Sequence, residues 1–429
     1  MKILTGSFEA LTNQVTKREQ QAASRPEVEA AVQDIIKNVR EKGDEALKEY
    51  SAKFDKTQVD EFRVSDETIE AGYNACSEEL LTALRLAKKN ITSYHEQEVS
   101  RGFIDAKQPG VIRGQKLTPL AAVGLYVPGG TAAYPSTIMM AAIPAKIAGV
   151  KNIVMVTPPQ PEGINPAVLA AAKLAGVDAV YQIGGAQAIA ALAFGTESIP
   201  RVDKIMGPGN IFVATAKKQV FGQVAIDMIA GPSEIGVIAD EKANARQLAA
   251  DLLSQAEHDK FARPMLVTPS LDVAKAVSAE IERQLKTLPR EEIARASVNN
   301  EGFIAITKDL DQAFDLMNLI APEHLEVQVD EPITYLNRIH NAGSVFLGRT
   351  ASEPLGDYVA GPNHILPTAG TARFFSPLGV EDFVKRIQFV QYTQPALEKV
   401  ASAITTLART EGLEAHARAI ESRFEAEAK

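Results

Sequence analysis

Two rhythms of apolar and polar residues divide the chain. From Pro26 to about Phe54 the pattern is helical: Val28, Val32, Ile35, Ile36 and Val39, then Ala46, Leu47 and Tyr50. A second amphipathic stretch runs from Asp66 to about Val99, with Leu80, Leu81, Leu84 and Leu86. Cys76 falls inside it and reads as a small buried residue on a helix. Residues 1–20 are polar and aperiodic, which predicts an arm.

From Leu120 the rhythm changes. Predicted strands over 121–127, 152–157, 179–183 and 204–206 alternate with predicted helices over 136–148, 166–175, 186–194 and 211–221. Strands alternating with helices of this length predict βαβ units and a parallel sheet. Three strand ends carry glycine turns: Pro128-Gly129-Gly130, Gly184-Gly185 and Gly207-Pro208-Gly209-Asn210. Such turns open helices and aim backbone N–H groups at an anion, typically a phosphate. None spells G-x-G-x-x-G with an acidic residue about twenty positions on, so tight-turn geometry explains them equally well. Residues 232–350 repeat the alternation, with strands over 234–238, 264–268, 303–306 and 344–347, which predicts a second α/β sheet. The segment Glu353–Arg373 has no period and is dense in Gly and Pro. It carries Asp357, Asn363 and His364, and long irregular segments in compact enzymes are more often functional than idle. After Pro377 the pattern is mostly helical. Leu413, His416, Ala417, Ile420 and Phe424 share one face of the last helix, so His416 is expected to face inward.

Composition narrows the class. A chain of 429 residues with 45% hydrophobic and 23% charged residues can build a sizeable core and two or more domains. The net charge of -9, with no basic run, argues against a nucleic-acid surface. A single cysteine cannot form an internal disulfide, no apolar run is long enough for a membrane span, and the first residues lack a signal-peptide core. These features predict a cytoplasmic protein without a membrane partner.

The candidate chemistry begins on the helix that starts near Asn244. At about 100° per residue, Gln255 and His258 fall on one face with Asp251 beside them, next to an apolar stripe of Ala249, Leu252, Leu253 and Ala256. An amide oxygen and an imidazole three residues apart are usable metal ligands. Q-x-x-H alone is a weak signal, equally consistent with a core-edge histidine and a surface amide. Of the six histidines, His95 and His340 read as structural. Glu323-His324 follows the helix stop at Pro322 and reads as a turn, from which both side chains can reach one cavity. A carboxylate beside an imidazole supplies two proton acceptors of different pKa.

Taken in order, Leu125–Gly130, Gly184–Ala193, Gly207–Asn210, Ala230–Glu234, Asp251–His258, Ala321–Leu325 and Gly361–Thr368 resemble the histidinol dehydrogenase family over nearly the whole chain. The resemblance implies two Rossmann-like, mostly parallel α/β domains of aldehyde-dehydrogenase-like architecture, with a small N-terminal arm and a helical tail. The division expected is an arm over 1–20, a substrate and metal domain over 21–123 and 234–376, an NAD-binding domain over 124–233, and a tail over 377–429 that reaches a dimer partner. It implies NAD-dependent, four-electron oxidation of L-histidinol to L-histidine through bound L-histidinal, in a homodimer with shared sites and one Zn2+ per subunit. The implied metal ligands are Gln255, His258, Asp357 and, from the other subunit, His416. His324 is implied as base for the alcohol and Glu323 as base for the water that adds to the aldehyde. His324 is expected to be mostly neutral, at an unperturbed pKa of ~6.5. Ser233, His364 and Glu411 are implied to contact substrate together with the metal ligands and His324. Tyr126, Gln187 and Asn210 are implied to line the NAD site. A dehydrogenase of a small sulfonated diol on the same scaffold is the nearest alternative. A metal-dependent hydrolase leaves the βα array unexplained, and a non-catalytic binding protein leaves the acid–base pair unexplained.

Overall fold

The computed structural model describes residues 1–15, 25–129, 134–229 and 231–425. They form two compact units. The first comprises Met1–Glu98 and Leu120–Phe383, and the second comprises Val99–Pro119 and Val384–Lys429.

The first unit contains two parallel sheets. One has five strands in the order Ala179–Gln182, Asn152–Thr157, Ala122–Tyr126, Lys204–Met206, Ala225–Ile226. The other has six, in the order Lys2–Leu4, Phe303–Ile306, Arg263–Thr268, Glu234–Ala239, His324–Gln328, Ser344–Leu347. In each sheet the chain winds outward from a middle strand, then crosses over and winds the other way. The reversal leaves a crevice between Ala122–Tyr126 and Lys204–Met206 in one sheet, and between Glu234–Ala239 and His324–Gln328 in the other. The α/β class with two Rossmann-like parallel sheets is thus the observed architecture.

The N-terminal helices pack on the five-stranded sheet layer. Pro26–Lys42 and Asp44–Tyr50 put Val32, Ile35, Val39 and Leu47 into one core with Val154, Val156 and Ile189 of the five-stranded sheet layer. Glu78–His95 puts Leu81, Leu84 and Ile91 into another with Val123, Ile153 and Met155. These helices therefore pack on the layer of 122–226, and Glu78–His95 also shares its core with Ile365, Leu378 and Phe383. The arm is more ordered than expected. Lys2–Leu4 pairs with Phe303–Ala305, and the helix Phe8–Val15 buries Leu11 and Val15; residues 16–20 of the expected arm lie outside the described residues.

The second unit is built on an antiparallel sheet, Val384–Tyr392 beside Val111–Pro119 beside Phe103–Asp105, followed by the helices Gln394–Thr410 and Glu414–Glu421. The tail is therefore a strand and two helices, not helix throughout. No helix among the described residues is long and apolar enough to cross a membrane.

Candidate active site

A helix that follows a parallel strand runs back along the sheet, so its C-terminus arrives at the amino ends of the strands. Ala245–Ala256 follows Glu234–Ala239 in this way. Asn244 caps its start, Oδ1 accepting from Arg246 N at 2.9 Å, a cap worth about 1 kcal/mol. Leu248, Leu252 and Ala256 are buried against the sheet, and Gln255 is buried at the last turn. The final turn tightens: the N–H of His258 donates to Gln255 O at 3.1 Å and brings the imidazole round to the helix end.

Glu323 and His324 stand at the amino end of the neighbouring strand. The expected turn is instead the start of the strand His324–Gln328, paired in parallel with both Ile235–Ala239 and Ser344–Leu347. Glu323, just ahead of it, accepts from the N–H of Glu234 through Oε2 at 2.8 Å, and His324 Nδ1 lies 3.1 Å from Glu234 O. Nδ1 therefore carries a hydrogen, and Nε2 has no hydrogen-bond partner. The same strand end brings the Glu323 carboxylate within 3.7 Å of the imidazole. Ser233 precedes Glu234 and accepts the Arg263 N–H through its carbonyl, which puts its side chain at this edge.

The irregular segment closes the site. Asp357 Oδ1 faces His324 Nε2 and His364 Nδ1, each at 3.7 Å. His364 is held by both nitrogens, Nδ1 at 3.0 Å from Asp357 O and Nε2 at 3.1 Å from Thr137 Oγ1. Ligand atoms of His324, Glu353 and Asp357 lie within 4.8 Å of one another. Four buried polar atoms here have no hydrogen-bond partner: Gln255 Oε1 and Nε2, His324 Nε2 and Asp357 Oδ1. Buried polar groups are normally satisfied, so such a gathering marks a place for a ligand or ion.

The electrostatics are those of crowded carboxyls. Burial raises Glu323 to about 7, with the His324 charge and the Glu234 N–H opposing it. Burial alone would lower His324, but the charges of Glu323 and Asp357 push it up to about 10. This corrects the expected value near 6.5: the carboxylates keep the imidazole protonated at neutral pH. Burial would raise Asp357, yet His324 and His364 hold it well below the carboxylate range. Desolvation lowers His258, although its residue surface is exposed in the single chain, and Asp357 opposes that shift.

The five-stranded sheet offers a second feature, at the carboxyl ends of its strands. Tyr126 ends its strand at the crevice, and its hydroxyl accepts the Gly185 N–H at 3.1 Å. Burial raises that phenol to about 12. Gln187 is buried in the first turn of Gly185–Phe194, a helix whose start has no side-chain cap. Asn210 caps Ile211–Val220 through Oδ1 and is exposed at the crevice. Gly207 has φ +112°, and a Cβ there would lie 2.1 Å from Tyr126 O, so the turn demands glycine for its own packing. An open helix start beside Tyr126 at a strand-order reversal suits a nucleotide phosphate.

A family model described as histidinol dehydrogenase matches residues 16–424. The chain belongs to the histidinol dehydrogenase family. It is an oxidoreductase of histidine biosynthesis. It is 67% identical over 425 residues to histidinol dehydrogenase from Lactiplantibacillus plantarum and 59% identical to that from Streptococcus mutans, with 99% of each chain covered in both cases. A crystal structure of histidinol dehydrogenase from Elizabethkingia anophelis matches with a TM-score of 0.94 at 38% identity, covering 99% of this chain and 98% of that one.

For this histidinol dehydrogenase family member, the structure gathers Gln255, Glu323, His324, Asp357 and His364 at one edge of the six-stranded sheet, with His258 at the adjoining helix end. Tyr126, Gln187 and Asn210 stand at the strand ends of the other sheet. Glu411 and His416 belong to the second unit. His416 is exposed, and only Ala417 of its helix is buried, so the expectation of an inward-facing histidine does not hold within the chain. The sequence reading missed Glu353, which is buried and accepts from Ser254 Oγ at 3.0 Å. Burial and the Asp357 charge hold its carboxyl above the ordinary range. Its spacing of four residues before Asp357 was the available signal, since one helical turn puts both on one side.

Proposed function

We propose that this protein oxidises L-histidinol to L-histidine through bound L-histidinal, reducing two NAD per turnover, with one Zn2+ in each subunit of a homodimer. One observation carries the reading: in a chain matched to the family over 16–424, His324 stands 3.7 Å from both Glu323 and Asp357, and Asp357 stands 3.7 Å from His364.

The donor set suits the metal. Gln255, His258 and Asp357 offer an amide oxygen, an imidazole and a carboxylate, and the partner subunit's His416 would complete a tetrahedral set. When bound, Zn2+ would anchor substrate nitrogens and offset the carboxylate charge that keeps His324 protonated. The region 124–233 would hold NAD, which accepts a hydride in each half-reaction, against Tyr126, Gln187 and Asn210.

The chain's own groups move the protons. Neutral His324 takes the hydroxyl proton at Nε2 as the carbinol hydride leaves, while Nδ1–H stays fixed on Glu234 O. Glu323, ionised, takes a proton from the water that adds to the aldehyde carbon. Ser233, His364 and the partner subunit's Glu411 would hold the substrate through both halves, so the aldehyde is not exposed to side reactions.

Absorbance at the NADH band, with L-histidinol as the only reductant, tests the reading. Two NADH per L-histidinol consumed are expected, with L-histidine as product. Exhaustive chelation should abolish the signal and Zn2+ should restore it. No NADH from zinc-loaded protein would overturn the assignment.

A further inference from the structure

Behind the segment that carries Asp357 and His364 lies a second buried imidazole. His95 ends the helix Glu78–His95 and is fully buried. Its Nδ1 is 2.7 Å from Glu98 Oε2, which also accepts the Val380 N–H at 3.0 Å. A carboxylate can only accept, so Nδ1 carries the hydrogen and Nε2 is left as an acceptor. Facing Nε2 at 3.4 Å is the side-chain amide nitrogen of Asn363. That amide has two hydrogens: one goes to Met140 O at 2.7 Å, and the other is aimed at His95. Asn363 Oδ1 accepts the Ile365 N–H at 2.9 Å.

The orientation of the Asn363 amide is therefore fixed, and so is the backbone turn that spans His364. The surrounding anchors agree. Asn90, on the same helix as His95, donates through Nδ2 to Val359 O at 2.7 Å. Gly361 sits so close to this helix that a Cβ would lie 2.8 Å from Asn90 O.

We propose that His95 and Glu98 are positioning residues. Glu98 selects the Nδ1–H form of His95, His95 holds the Asn363 amide, and Asn363 sets His364 for substrate. Read this way, His95 is more than the structural histidine that its sequence context suggests. The inference rests on the functional reading above, in which His364 contacts L-histidinol. Its consequence is selective: a loosened His364 weakens L-histidinol binding but leaves in place Tyr126, Gln187 and Asn210, which none of these hydrogen bonds touches.

The test is steady-state kinetics on the zinc-loaded, full-length protein, with calorimetric binding of L-histidinol in the absence of NAD. His95→Leu fills the space but removes both hydrogen bonds. It should raise KM and Kd for L-histidinol about tenfold, while KM for NAD stays within about twofold and kcat falls by less than about threefold. His95→Gln restores an acceptor toward Asn363 and should recover most of the lost affinity. Where His95→Leu does not fold, Glu98→Leu serves, because that side chain is only partly buried, and the same selective rise is expected. Unchanged L-histidinol affinity in the folded variant would overturn the proposal, as would a parallel loss for both substrates or failure of the glutamine to rescue. Wild-type protein inactive with L-histidinol would overturn the functional reading and this inference together, whereas active wild type with an unaffected His95→Leu overturns this inference alone.

Discussion

Glu323 and His324 are neighbours to which the proposed reaction gives different duties. Successive residues of a strand point to opposite faces, yet both groups serve one edge because Glu323 stands just outside the strand, tied to the Glu234 N–H. Burial sets Glu323 near neutrality, so its basic form grows as pH rises through about 7. Oxidation of L-histidinal in single turnover should therefore climb between about pH 6 and pH 8 and then level. Glu323→Gln should lose that climb and slow aldehyde oxidation by about a hundredfold, with alcohol oxidation affected far less. Rapid-mixing measurements on each half-reaction decide it, and equal losses in both halves would refute the division. The residue types of this site were legible in sequence. Their charge states were not, because the upward shift on His324 takes Asp357 as well as the adjacent Glu323, and Asp357 is 33 positions away along the chain and 3.7 Å away in space. Glu353 was overlooked for a related reason: in sequence it is one acid at the start of a Gly/Pro-rich run, and only the fold brings it to His324.

At the scale of elements, apolar runs flanked by glycine turns were readable almost to the residue. Asn152–Thr157, Pro166–Ala175, Lys204–Met206, Phe303–Ile306 and Ser344–Leu347 stand where the pattern puts them. The strand His324–Gln328 escaped because its sequence, HLEVQ, buries Glu326 and Gln328 along with Leu325 and Val327. Those polar groups are satisfied by one another and by the Glu353 N–H, which no periodicity reveals. Val111–Pro119 and Val384–Tyr392 escaped because the residues they pair are 265 to 281 positions apart, and Val384–Tyr392 is exposed along nearly its whole length in the chain. The helix expected over 66–99 is two helices, Asp66–Ala75 and Glu78–His95, with Cys76 at the break. Ser77 begins the second by accepting the Leu80 N–H, and the Cys76 thiol points back to Gly72 O at 3.4 Å. A thiol bonded into its own helix end is not placed to attack an aldehyde at the six-stranded sheet. Cys76→Ser should keep most activity in the NADH assay. A loss of about a hundredfold or more with the fold intact would reopen a covalent thiohemiacetal route.

Across the whole molecule, two sheets of the same winding are used in opposite ways. The five-stranded sheet presents its crevice at the carboxyl ends of its strands, where ligands of such folds usually bind. In the six-stranded sheet that end is occupied by ion pairs: Arg349 bonds Asp240 at 2.6 Å and Asp330 at 2.6 Å, and Lys242 pairs with Asp330. The cluster of Glu323, His324 and Asp357 lies at the amino ends instead. The second unit, taken by itself, leaves apolar surface uncovered: Val390 is 68% exposed, Leu407 64% and Leu413 42%. Apolar faces of this kind are covered in assemblies, and a twofold neighbour is the simplest cover. A tail that packs on that neighbour would carry His416 and Glu411 into its active site. Asp357→Ala and His416→Ala homodimers should then both be inactive. Mixed in equal amounts and re-equilibrated, about half of the dimers contain one subunit of each kind. In such a dimer both lesions fall in one site and the other site is intact, so about a quarter of wild-type activity should return. If mass spectrometry shows exchange and the mixture stays inactive, each site is built from one chain, and the tail serves only to hold the subunits together.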